Sequence, residues 1–159
     1  NERYIKTINE KDLFNFFKEY ISKYKKPLDE TKGTTILKSL NFLKNKAKTL
    51  EDVWENAQYI INDNIQIIEE DKKRIDDLSK EIIKDFILEY EKLEFLSRDL
   101  LEDIVNSLIK KHKTNFKGVG QPLRIALIGK RFGPGLFDII LSLDKTRVLD
   151  RLKKSISVS

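Results

Sequence analysis

The 159-residue sequence has no cysteine and a single histidine, His112. A disulfide framework or a thiolate metal site cannot be built from it, and a zinc site would depend almost wholly on carboxylates. Six glycines and three prolines leave few breaks in the chain, and strand-like β-branched alternation is scarce. Helix is therefore the default expectation. No run approaches the roughly 18 apolar residues of a spanning helix, and charged residues make up 36% of the chain, which excludes a membrane protein. Neither a basic, apolar leader nor anything else points to secretion. Methionine is absent as well, and a chain that opens at Asn1 without one reads as a piece of a longer protein or a processed product.

What is present is an apolar content of 40%, enough for a real core, and an uneven charge distribution. Residues 1–50 carry 12 Lys/Arg against 6 Asp/Glu, residues 51–109 carry 7 against 17, and residues 110–159 carry 12 against 3. The net +5 thus hides blocks of +6, −10 and +9. Basic ends around an acidic middle suit a molecule whose ends approach a polyanion.

Leu13, Phe16, Phe17, Tyr20, Ile21 and Tyr24 recur at helical spacing after Asn9, a capping residue, and the helix should stop at Lys25-Lys26-Pro27. A second helix is expected after a break at Gly33-Thr34, through Ile36, Leu37, Leu40 and Leu43. Thr49 with Asp52 forms a capping-box pattern for a third, whose stripe runs from Leu50 through Trp54 to Ile61. Asn62-Asp63-Asn64 is a turn signal. Further helices are expected from Ile75 to Tyr90 and after Ser97. Gly118 to Pro122 reads as a loop handing over to a short helix that ends at Gly129. Pro134 opens another helix, and Asp144 caps the last. The expected fold is all-α, two packed helical subdomains spanning 1–64 and 65–159.

Catalytic chemistry finds little support in these residues. Gly129-Lys130-Arg131 lacks the hydroxyl residue and the earlier glycine of a phosphate loop. His112, among Lys110, Lys111 and Lys113, reads as a solvent-exposed helix end, and Trp54 as core. Nucleic-acid binding is better served. Arg124, Lys130, Arg131, Lys145, Arg147 and Arg151 fall on short helices and glycine-bearing loops, where backbone donors and planar guanidinium forks can meet phosphates and unstacked bases. Lys130, Arg131, Lys145 and Arg147 are the candidates for contacts to a nucleic-acid backbone.

The stretch Gly120-Gln121-Pro122-Leu123-Arg124-Ile125-Ala126-Leu127-Ile128-Gly129, followed by Gly133-Pro134-Gly135-Leu136-Phe137-Asp138 and by Leu143-Asp144-Lys145-Thr146-Arg147-Val148-Leu149, closely resembles the C-terminal end of bacterial-type glutamyl-tRNA synthetase. The segment from Asn1 to Leu13 is similar to that family's entry into its anticodon-binding region and the segment from Lys48 to Ile60 to its middle helix, whereas residues 66–96 add almost nothing.

The resemblance implies an all-helical anticodon-binding region of the helical cage type. Its parent would be a class I ligase that charges tRNA(Glu), with tRNA(Gln) left open, using ATP with Mg in an N-terminal catalytic domain of the same chain. The class signatures His-Ile-Gly-His and Lys-Met-Ser-Lys-Ser cannot occur in a sequence with one His and no Met, so this segment should be inactive alone, with no catalytic residue, metal or cofactor of its own. A cytoplasmic or organelle-matrix location is implied. By similarity, Arg124 and Leu136 would hold the first anticodon base, with Gly133 and Pro134 beside the middle one. Gly133 stands where the family often has a hydroxyl residue. Lys46 stands where it has an Arg, three residues ahead of Thr49-Leu50, that is associated with the third base, and lysine cannot form the bidentate fork. The alternative is a free-standing helical interaction module whose basic ends dock on an acidic partner.

Overall fold

The computed structural model describes the backbone of residues 2–157 and the side chains of residues 4–157; Asn1 and Ser159, the outer limits of the two expected subdomains, lie outside them. The described residues form eleven helices and no strand, divided between two compact units, Asn1–Asn64 and Ile65–Ser159.

The first unit holds α1 (Glu2–Thr7), α2 (Glu10–Tyr24), α3 (Glu30–Leu43), α4 (Leu50–Asn56) and α5 (Gln58–Ile61). Asn9 caps α2 by accepting from the Asp12 N–H at 2.9 Å, and Thr49 and Asp52 complete the capping box on α4. Of the α2 stripe, only the row Leu13, Phe17 and Ile21 is buried. Phe16 and Tyr24, one helical row over, are 45% and 61% exposed. Gly33 does not break the chain. Asp29 accepts from the Lys32 N–H at 2.8 Å and so starts α3 four residues earlier, which leaves Gly33 buried inside the helix. The third expected helix divides at Ala57 into α4 and α5. Trp54 is only half-buried, and Lys25 Nζ lies 4.0 Å from its ring centroid, so it carries a cation rather than sitting within the core.

The second unit comprises α6 (Glu69–Lys72), α7 (Asp77–Glu91), α8 (Arg98–Lys111), α9 (Phe116–Ile128), α10 (Leu136–Ser142) and α11 (Lys145–Ser157). α9 packs against α7, α8, α10 and α11 and buries eight of its 13 residues. This explains why Gly118 to Pro122 is helix and not loop. Asn115 accepts from the Gly118 N–H at 2.8 Å and starts the helix ahead of both glycines. A proline inside a helix costs about 3 kcal/mol and a glycine about 1. Burial of Val119, Leu123, Ile125 and Leu127, all 0% exposed, returns about 1.5–3 kcal/mol each, so packing outweighs propensity. His112 also departs from expectation. It caps the C-terminus of α8 with its Nε2 2.8 Å from Asp85 Oδ2, and its side chain is 9% exposed, because the carboxylate on α7 draws it in.

Candidate nucleic-acid interface

The seven residues between α9 and α10 form a loop fixed from several directions. Gly129 ends α9 at φ +87°, a left-handed conformation, and a Cβ there would collide with the Gln66 carbonyl oxygen. Its own carbonyl accepts from the Ile68 N–H at 3.0 Å, which ties the loop to the segment just ahead of α6. Gly133 lies at φ +135°, and a Cβ there would stand 3.0 Å from Ile128 Cδ1. In this backbone a hydroxyl residue would be strained, so glycine suits the loop as built.

Arg131 is the loop's main anchor. Its guanidinium bonds the Asp71 carboxylate and reaches Glu70 at 3.3 Å, while its backbone N–H donates to Asp71 Oδ2 at 3.1 Å. Arg74 Nε adds a contact to Asp71 Oδ1 at 3.2 Å. Asp71 is wholly buried. Burial pushes its carboxyl up, but the Arg131 side chain and N–H, with Arg74 behind them, together outweigh that and hold it below its ordinary 3.8. The Asp71 hydrogen bond in turn raises the Arg131 guanidinium.

Arg124, the ninth residue of α9, lies under this loop. Its Nη1 donates to the Arg131 carbonyl at 2.8 Å, and its Nε is buried without an acceptor among the described residues. Burial lowers its pKa from the ordinary arginine value. The side chain is half-buried, so donors remain at the loop mouth beyond the one that is spent.

The structure brings Arg124, Lys130, Arg131, Gly133, Pro134 and Leu136 onto this one loop and its flanks. Leu136 is 2% exposed and Pro134 is buried, so both face the protein and form the loop's foundation. Arg131, named from sequence as a phosphate contact, has its guanidinium held by Asp71 and Glu70. Lys145 donates to the Glu91 and Leu93 carbonyls at 3.2 and 3.3 Å and so caps the end of α7. Arg147 opens α11 with its Nε 3.8 Å from Asp144 Oδ2. Lys46 is exposed in the turn after α3, in the first unit.

Two residues of this site escaped the sequence reading. Asp71, two residues after Glu69, has a spacing ordinary for a solvated helix face, yet it is wholly buried because Arg131 and Arg74 draw its carboxylate in. Phe132, 64% exposed at the loop tip with Arg131 Cζ 4.5 Å from its ring centroid, was signalled only by an aromatic residue set between Lys-Arg and Gly-Pro. Among the described residues no group of three or more potential metal ligands occurs, and no helix is long and apolar enough to cross a membrane.

Known proteins share the sequence and the fold of this chain. The glutamate–tRNA ligase of Pelagibacter ubique is 52% identical over 158 residues, which cover 99% of this chain and 34% of that protein. Glutamate–tRNA ligase 1 of Syntrophus aciditrophicus is 33% identical, again over 99% of this chain and 33% of the relative. The chain therefore spans about a third of the length of these relatives. A crystal structure of a glutamate tRNA ligase from Elizabethkingia meningosepticum, in complex with its amino acid, superposes with a TM-score of 0.82 at 18% identity, covering 99% of this chain and 31% of that one, so that the matched part has the same fold. The family model described as an anticodon binding domain matches residues 10–156, and the chain belongs to that anticodon-binding family.

Proposed function

We propose that this chain is the anticodon-reading part of a glutamate–tRNA ligase and that Arg124 reads the first anticodon base. The observation that carries the reading is the half-buried Arg124 guanidinium, fixed through one Nη1 bond to the Arg131 carbonyl at the mouth of a braced loop. An arginine held in this way keeps donors in a set direction, and the carbonyl and ring nitrogen of a cytosine edge are matching acceptors. Leu136 and Pro134 support the loop from beneath, and Gly133 can meet the middle base only through its backbone. Lys46 takes the third-base role as a point charge without a bidentate fork, so its position does not by itself require that tRNA(Glu) and tRNA(Gln) be separated. Phosphate contacts fall to Lys130, Arg147 and Lys145, the last after release from its carbonyls. In the parent protein, glutamate is activated with ATP and Mg in an N-terminal catalytic domain and joined to tRNA in the cytoplasm or an organelle matrix.

The test is binding of this chain to the anticodon stem-loop of tRNA(Glu), measured by fluorescence anisotropy against the same stem with its three anticodon bases exchanged. A preference of about tenfold or more for the native loop is expected, equivalent to about 1.4 kcal/mol. Equal affinity would contradict the reading.

A further inference from the structure

We propose that Phe132 is a stacking platform for an unpaired base of the anticodon loop. The inference rests on the anticodon-reading function proposed above and adds a contact made through an aromatic face. Phe132 is an apolar residue 64% exposed at the tip of the loop that carries Arg124 and Gly133. Folding gains little from leaving a phenyl ring in water, and nothing local requires one there: the loop is braced by Arg131 to Asp71, by Gly129 to Ile68 and by Arg124 to Arg131.

The ring is backed on one side. Arg131 Cζ lies 4.5 Å from its centroid, and the Asp71 and Glu70 carboxylates fix that guanidinium in turn. The cation orients the ring while the other side stays accessible, which is the arrangement a planar, electron-rich nucleobase needs in order to stack. The charge left over after the Arg131 pairing favours a nucleic acid over an apolar peptide, since Lys130 lies on the same loop and Arg124 bonds the loop backbone at the Arg131 carbonyl. Stacking is tolerant of base identity, so Phe132 supplies affinity and holds the loop open, while hydrogen bonding at Arg124 supplies selectivity.

The test uses the 159-residue chain and the tRNA(Glu) anticodon stem-loop with 2-aminopurine placed at each anticodon position in turn. Loss of one stacked base implies that Phe132→Ala weakens binding about 5- to 150-fold. It should also abolish the fluorescence quenching at one anticodon position. Phe132→Trp should keep both affinity and quenching, and Phe132→Leu, apolar but not aromatic, should lose the quenching. Because the side chain is exposed, all three variants should melt with the wild type. If Phe132→Ala or Phe132→Leu binds and quenches like wild type while native and exchanged anticodons are still distinguished, the platform is overturned and the anticodon reading stands. If the wild-type chain does not distinguish the anticodons at all, both are overturned.

Discussion

Asp71 holds a carboxylate where no solvent reaches, and the loop over it depends on that charge. Its three cationic or N–H donors come from Arg131 and Arg74, so removing the charge leaves Arg131 without its main anionic partner. The sign of the pH effect follows. A carboxyl held below its ordinary 3.8 in the folded state stabilises the protein fully above that value and stops doing so as pH falls through the depressed one. Asp76 and Asp85 are also held low, so a comparison is required to isolate Asp71. Asp71→Asn should be less stable than wild type at pH 7, and the gap should close below about pH 4, as read from urea midpoints between pH 2 and 7. A gap that stays constant across that range would show that the charge of Asp71 is not what braces the loop.

At the scale of elements, the loop's shape depends on the way α9 ends. Gly129→Ala must place a Cβ against the Gln66 carbonyl in a left-handed backbone, a conformation that costs a non-glycine residue about 1–3 kcal/mol before any collision. Urea unfolding should therefore show a loss of at least that size, and a variant as stable as wild type would mean that the loop relaxes freely. Gly129 was legible in the sequence because a helix-terminating glycine is a local signal, as were the caps Asn9, Thr49, Ser97 and Asp144, whose side chains bond a backbone N–H three residues on. The course of α9 was not legible. Its glycines and Pro122 are local signals too, and they were overruled by contact with four other helices, which no local window contains. The same limit applied to the site. Arg124 was found through its motif, but the Arg131–Asp71 pair joins residues 60 apart, and nothing in either segment announces the other. Phe16 and Tyr24 erred the opposite way: their periodicity was right, but the buried face of α2 is narrower than its apolar stripe.

For the molecule as a whole, the +9 of residues 110–159 overstates the charge available to RNA. Arg131 is paired with Asp71 and Glu70, Lys145 caps α7, Lys153 lies 3.2 Å from Glu91, and Lys154 lies 3.1 Å from Asp150. With about two or three phosphates neutralised at roughly −0.7 to −0.9 each, the slope of log K against log salt should be near −2. A titration of stem-loop binding from 50 to 300 mM salt measures it, and a flat response would favour a protein partner over RNA.

The most direct measurement compares Arg124→Ala with Lys153→Ala, each binding the tRNA(Glu) stem-loop with its native first anticodon base and with a purine in its place. Arg124 contacts the loop mouth and Lys153 forms an exposed ion pair from α11 to Glu91 of α7, so the two remove equal charge from different settings. If Arg124 reads a base edge, its loss should cost about 1–3 kcal/mol on the native loop and much less on the purine loop, so the wild-type preference between the two collapses. Lys153→Ala should weaken both loops slightly and equally. If the two variants show the same small loss on both loops, Arg124 does not read the anticodon and the account of this site is wrong.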